Sequence, residues 1–158
     1  MVPGYGFMLN NELTDFDAIP RGANEVQPNK RPLCSMTPTI VFKDGKPVLT
    51  VGSPGGTTII TSVLQTILYT IEYDMELKQA VEEPRIYTNN LNSYRYEDGI
   101  PTEVFNLLTS MGHKFGAEPT TIGNVQSILI DHQNNSFKGV ADSSRNGAAI
   151  GINLKGKK

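Results

Sequence analysis

Three polar segments of the sequence contain residue types that can bind a ligand or take part in catalysis. The only cysteine, Cys34, stands beside Ser35 in the stretch KRPLCSMTPTI. A cysteine becomes a good nucleophile when a histidine or a helix N-terminus lowers its pKa, and both histidines lie far along the chain. Ser35 lacks the G-x-S-x-G pattern of a nucleophile elbow. The pair could be a nucleophile with its helper or a polar clamp for a ligand, but taken alone it favours two small side chains packed at a strand entrance.

The second segment is GSPGG, residues 52–56, which we call the glycine loop. Glycines let the backbone approach a ligand closely, and adjacent N–H groups at a helix start favour negative charge. A phosphate-binding loop would need a lysine after the last glycine, but Thr57 and Thr58 follow Gly56. An oxyanion hole made by the N–H groups of Gly55 and Gly56 therefore fits better than a nucleotide site, but the pattern taken alone favours a simple tight turn.

The third segment is acidic and follows a short apolar run, residues 7–9, which predicts a strand. Asn10, Asn11, Glu12 and Asp15 then open a long loop, 12–31, that is rich in turn-forming residues. Carboxylates on such a loop can bind a cationic group such as an amine. The alternative is a solvated turn.

The remaining elements must position these segments. Asp44-Gly45 predicts a hairpin between strands 39–43 and 47–51, and Asn134-Asn135 predicts a second one between 127–130 and 136–140. A helix is predicted after the glycine loop, with Thr57 or Thr58 as its cap and one apolar stripe: Ile60, Val63, Leu64, Ile67, Leu68 and Ile71.

The rest of the chain predicts further elements. These are a helix over 75–81, extended structure over 85–98 with a turn near Asn89-Asn90, a helix from Pro101 to Gly112, and a last strand over 148–154. Strands and helices are segregated rather than alternating. We therefore predict an α+β fold, a mainly antiparallel sheet with helices packed on it.

Composition excludes several classes of function. The 158 residues carry a net charge of -2, which gives no basic surface for nucleic acid. No apolar run is long enough to predict a membrane span. One cysteine and two histidines predict no metal site, and no motif predicts a cofactor.

In their order along the chain, these segments resemble the small subunit of the γ-glutamyltransferases (γ-glutamyl transpeptidases), in the N-terminal-nucleophile hydrolase superfamily. The matching stretches are GFMLNNELTDF at 6–16, NKRPLCSMTPTIV at 29–41, GSPGGTTIIT at 52–61, EEPR at 82–85 and ADSSRNGAA at 141–149. The resemblance implies that residues 1–158 are a single domain, a C-terminal fragment of the small subunit, within an αββα sandwich.

The family also implies a role for each candidate residue. Positions matching Glu12 and Asp15 receive the α-ammonium of a γ-glutamyl substrate, and those matching Cys34 and Ser35 hydrogen-bond its α-carboxylate. Gly55 and Gly56 match the oxyanion hole that serves acyl transfer. By this resemblance the Cys34-Ser35 pair is a ligand clamp rather than a nucleophile.

Two departures from the family pattern qualify this expectation. Cys34 stands where the family usually has serine, and a thiol is the weaker hydrogen-bond donor. The family's nucleophile is a threonine freed by self-cleavage, in a block that precedes GFMLNN and is absent here; Thr14 cannot replace it. We therefore expect the chain alone to be inactive without the large subunit and the N-terminal part of the small subunit.

Other readings stay open at this level. The chain could be a non-catalytic γ-glutamyl-binding or assembly module, or Cys34 could be the thiol of an unrelated amidase. The resemblance implies a location outside the cytoplasm, in the cell envelope or the medium. Without the large subunit and the rest of the small subunit, the apolar surface that they would cover is exposed. We expect this surface to favour self-association of the chain.

Overall fold

The computed structural model describes residues 3–89, 93–143 and 146–152. The chain forms two compact units, Met1–Ser35 and Met36–Lys158, and each is described by itself. No helix among the described residues is long and apolar enough to cross a bilayer.

The first unit is built from turns. Among its described residues, 3–35, the one helical element is a short 3-10 helix, Glu12–Asp15, and one bridge joins Asp17 to Glu25. The predicted loop over 12–31 is confirmed. The predicted strand over 7–9 is wrong, because these residues have irregular backbone and exposed side chains. An apolar run forms a strand only when a neighbouring strand pairs with it, and no described segment does so.

The second unit contains three α-helices and six strands among the described residues. In chain order they are β1 (Thr39–Lys43), β2 (Lys46–Gly52), α1 (Ile59–Ile71), α2 (Leu77–Glu82), β3 (Ile86–Tyr87), β4 (Arg95–Tyr96), α3 (Thr102–Ser110), β5 (Gln126–Asp131) and β6 (Ser136–Ala141).

The main sheet is antiparallel, in the order β1-β2-β5-β6, and both predicted hairpins are confirmed. Asp44 and Gly45 have φ values of 52° and 74°, as a type I′ turn requires. Helix α1 packs on β2, and α2 packs on β5 and β6. The core between them consists of Leu49, Val51, Ile59, Val63, Leu77, Val81 and Val125. The predicted α+β class, an antiparallel sheet with helices on it, is confirmed.

The predicted apolar stripe of α1 is divided between two faces of the helix. The buried face consists of Ile59, Ser62, Val63, Thr66 and Thr70. Each of its three hydroxyls donates to the carbonyl four residues earlier, at 2.8–2.9 Å, so it is satisfied inside the core. The exposed face carries Ile60, Leu64, Leu68 and Ile71.

The other predicted elements are found with small shifts, except the last strand. Helix α3 ends before Gly112, whose φ of 96° confirms the glycine stop, and β3 and β4 form the extended segment. Asn90 of the predicted turn lies outside the described residues. Residues 148–152 are irregular, and 153–154 lie outside the described residues. A Cβ on Gly139 would lie 3.1 Å from the Cβ of Ala149, so Ala149 packs closely against β6 without forming a strand.

Candidate functional site

The glycine loop connects β2 to α1, as the sequence predicts. A short 3-10 turn, Gly56–Thr58, precedes the helix. Gly55 has φ 146° and Gly56 has φ 58°, values that side-chain-bearing residues rarely adopt. The two glycines therefore allow a backbone path between strand and helix that most other residues would strain.

Thr58 fixes the orientation of the peptide between the two glycines. The carbonyl of Gly55 accepts from the N–H of Thr58 at 3.2 Å and from its hydroxyl at 2.9 Å. The hydroxyl thus does not cap α1 as predicted, and no side chain caps this helix. In a trans peptide the C=O and N–H point in opposite directions, so anchoring the Gly55 carbonyl turns the Gly56 N–H away from Thr58.

The N–H groups of Gly55 and Gly56 form no hydrogen bond within the described parts of the chain. Gly55 is half-buried and Gly56 is exposed, so both residues can be reached by a ligand. Two adjacent unpaired donors on a fixed loop are suited to binding an anionic oxygen.

A second backbone segment, residues 122–125, supports the glycine loop. The N–H of Asn124 donates to the Ser53 hydroxyl at 2.8 Å, and that hydroxyl donates to the Pro54 carbonyl at 2.7 Å. A Cβ on Gly123 would lie 2.3 Å from the hydroxyl oxygen of Ser62, so only glycine fits there. Sequence reasoning missed this segment. The only local sign of it in the sequence is one isolated glycine, Gly123, in a stretch with no helix or strand pattern.

Arg85 of the EEPR stretch and Asp142 of the ADSS stretch form, together with the half-buried Glu97, an ion-pair network that contacts residues 122–125. Arg85 contacts Glu97 at 3.3 Å and Asp142 at 2.9 Å, and its guanidinium also donates to the Val81 and Ile122 carbonyls. The carboxylate of Glu97 accepts the Ile122 N–H at 2.7 Å. The Val125 N–H lies 3.4 Å from a carboxylate oxygen of Asp142. The network thereby holds both ends of the segment under the glycine loop.

In the first unit, Glu12 and Asp15 begin and end the 3-10 helix. Residues three apart in a 3-10 helix are eclipsed, so both side chains lie on the same side of the turn. Both are half-buried, and their carboxylates form no hydrogen bond or ion pair with any described residue. Two such carboxylates can receive one ammonium group.

Cys34 and Ser35 lie at the end of the same unit. The thiol is exposed and unbridged, Ser35 is half-buried, and neither side chain hydrogen-bonds to a described residue. Both histidines have other partners, since His113 contacts the Tyr94 hydroxyl and His132 contacts the Pro47 carbonyl. No geometry among the described residues therefore supports an activated thiol at Cys34.

Asn24, which sequence reasoning did not select, links the two halves of this unit. Its amide donates to the Asp15 carbonyl at 2.7 Å and accepts the Leu33 N–H at 3.0 Å. One side chain thus holds the segment carrying Glu12 and Asp15 to the segment that leads into Cys34.

Comparison with known proteins identifies the family. Residues 1–152 match the family model described as Gamma-glutamyltranspeptidase. The chain is 80% identical over 157 residues to the glutathione hydrolase proenzyme of Bacillus subtilis strain 168, covering 99% of this chain and 27% of that relative. It is 41% identical over 136 residues to the glutathione hydrolase proenzyme of Escherichia coli K12, covering 79% of this chain and 23% of that relative. It therefore spans about a quarter of the length of these curated relatives.

A solved structure confirms the predicted fold. The chain matches the T380A mutant of Helicobacter pylori gamma-glutamyltranspeptidase with a TM-score of 0.81 and 40% identity, covering 90% of this chain and 84% of that chain. The α+β structure is thus part of the N-terminal-nucleophile hydrolase sandwich. The chain belongs to the gamma-glutamyltranspeptidase family.

Proposed function

We propose that this chain is the C-terminal part of the small subunit of an enzyme that cleaves γ-glutamyl amide bonds through an acyl-enzyme. The single observation that carries the proposal is the pair of unbonded N–H groups at Gly55 and Gly56 on the anchored glycine loop. Attack on a γ-carbonyl places negative charge on its oxygen, and preorganised N–H donors stabilise that charge more than the ground-state carbonyl. Donors of this class include glutathione, γ-glutamyl peptides and poly-γ-glutamate.

The same proposal assigns the substrate clamp to the first unit. The eclipsed carboxylates of Glu12 and Asp15 receive the α-ammonium, and Cys34 with Ser35 donates to the α-carboxylate. The unpaired state of all four polar groups among the described residues supports this assignment.

Two components come from outside this chain under the proposal. The nucleophile is a threonine at the start of the complete small subunit, and the large subunit supplies an arginine to the α-carboxylate.

The apolar outer face of α1 and the exposed sheet residues Ile40 and Ile128 are surfaces where such partners would pack. The chain alone is then inactive and tends to self-associate. Residues 1–158 act as one domain of an enzyme that works outside the cytoplasm.

The first test examines the gene and its full product. We expect the codons upstream of Met1 to continue in frame through a threonine-led segment, and the complete protein to release the chromophore from a γ-glutamyl anilide. A stop codon and ribosome-binding site directly upstream, together with no release by the product, would favour a non-catalytic γ-glutamyl-binding module instead.

The clamp assignment makes a prediction at Cys34. Because a hydroxyl is the stronger donor, Cys34→Ser in the complete enzyme is expected to lower KM for a γ-glutamyl anilide by about fivefold, equivalent to about 1 kcal/mol. Cys34→Ala should raise KM, since it removes the donor altogether. Steady-state kinetics measure these KM values. Equal KM values for the unsubstituted enzyme and the two variants would show that Cys34 does not bind the α-carboxylate.

A further inference from the structure

The first unit has almost no core, which makes its one buried residue informative. Among residues 3–35, only Asn24 is buried, with 8% of its surface exposed. An amide is buried without loss only when its donors and acceptor are paired. Asn24 meets this condition through Asp15 and Leu33, and its N–H donors also lie 3.5 Å from a carboxylate oxygen of Asp17.

The two main bonds of Asn24 connect segments that are far apart in sequence. Asp15 precedes Asn24 by nine residues, and Leu33 follows it by nine. The first bond fixes the end of the 3-10 helix that carries Glu12 and Asp15. The second fixes the backbone one residue before Cys34.

The backbone of Asn24 adds a third tie. Its carbonyl accepts the N–H of Asp17 at 3.0 Å, so the chain just after the 3-10 helix is bound to the same residue. The other loop bonds are local by comparison. Glu25 accepts the N–H of Arg21, and Lys30 donates to the Ala23 carbonyl, and neither bond touches a clamp residue.

We propose that Asn24 is the positioning residue of the substrate clamp and sets the distance between its ammonium-binding and carboxylate-binding halves. This inference rests on the proposed function, because the clamp is itself part of that proposal. A γ-glutamyl group carries its α-ammonium and α-carboxylate on one carbon, so both halves must be held at a fixed spacing to bind it at once. Losing that spacing weakens recognition of the α-carbon groups without altering the groups that react.

The test compares three donors in the complete enzyme, obtained from its gene or by placing this chain in the corresponding segment of the Bacillus subtilis relative. The γ-glutamyl anilide has both α-groups, the glutaryl anilide lacks the ammonium, and the 4-aminobutyryl anilide lacks the carboxylate. Asn24→Ala is expected to raise KM for the γ-glutamyl donor about tenfold or more, with kcat within about threefold. Its effect on the two truncated donors should be much smaller.

A second variant separates the two bonds. Asn24→Asp keeps an acceptor for the Leu33 N–H but cannot donate to the Asp15 carbonyl. It should therefore reduce the preference for γ-glutamyl over glutaryl donor more than the preference over 4-aminobutyryl donor. Glu25→Ala is the matched control, since it removes a loop hydrogen bond from the neighbouring residue and should leave all three donors unchanged.

The outcomes distinguish a failure of the positioning role from a failure of the proposed clamp. Asp15→Ala is expected to abolish the preference for the γ-glutamyl donor over the glutaryl donor. If it does so but both Asn24 variants retain that preference, the positioning role is overturned and the clamp stands. If Asp15→Ala also retains it, the clamp assignment falls. Equal losses of kcat on all three donors from the Asn24 variants would show a general folding defect and would also overturn the positioning role.

Discussion

Glycolic acid in place of Gly56 is expected to lower kcat of the complete enzyme by about 10²- to 10³-fold, the usual effect of losing one oxyanion-hole donor. This replacement exchanges the backbone N–H for an ester oxygen and leaves the side chain unchanged. Thr58 anchors the Gly55 carbonyl, so the loop should keep its path while the donor is lost. Single-turnover acylation of the semisynthetic enzyme by a γ-glutamyl anilide measures the effect directly.

The same site can be tested by a genetic substitution. A Cβ on Gly55 would lie 2.5 Å from the Thr58 hydroxyl and 3.3 Å from the Cα of Gly123. Gly55→Ala must therefore shift the loop, and we expect kcat to fall by a similar factor while KM changes little.

Gly45→Ala provides the control for backbone strain. Gly45 also has a positive φ, 74°, but its Cβ would meet no atom within 4 Å. The variant should lose about 1 kcal/mol of stability and no catalytic rate. Unchanged acylation rates in both the glycolic acid protein and Gly55→Ala would remove the oxyanion hole from this loop.

Local signals predicted the parts of the fold that depend on nearby residues. Asp44-Gly45 dictates its own turn because the dipeptide tolerates positive φ, and Gly112 ends α3 for the same reason. The backbone of the glycine loop follows from Gly55 and Gly56 in the same way. The sequence therefore identified the β2–α1 junction and its two candidate donors before any long-range contact was known.

Long-range contacts decided the rest. Residues 7–9 have a strand pattern but no described partner, and residues 148–152 form no strand although Ala149 packs against Gly139. The buried face of α1 could not be read from hydrophobicity, because its hydroxyls are paired within the helix. The role of Asn24 could not be predicted either, because the sequence of a polar loop does not show which carbonyl and N–H groups will contact an asparagine in it. The roles of the candidate site residues stay predictions: Glu12, Asp15, Cys34, Ser35, Gly55 and Gly56.

Arg85→Met is expected to cost about 3–5 kcal/mol of stability, because it leaves the carboxylates of Glu97 and Asp142 buried without their cation. The Arg85 side chain is 3% exposed, and Glu97 and Asp142 are 15% and 5% exposed. Water can therefore do little to replace the guanidinium. The same substitution should reduce kcat, because the anchors of residues 122–125 hold the segment that supports the glycine loop.

The measurement is the urea midpoint of the complete protein, followed by thermal unfolding, with Arg95→Met as the matched control. Arg95 is exposed, bonds to the Thr120 hydroxyl at 3.3 Å and lies over the Tyr87 ring, so its loss should cost no more than about 1 kcal/mol. Adding Glu97→Gln and Asp142→Asn to Arg85→Met should recover part of the lost stability, since no uncompensated charge is then buried. If Arg85→Met were no more destabilising than Arg95→Met, the ion-pair network would not be what holds residues 122–125. The glycine loop would then be supported only by the Ser53 hydrogen bond and the close packing of Gly123.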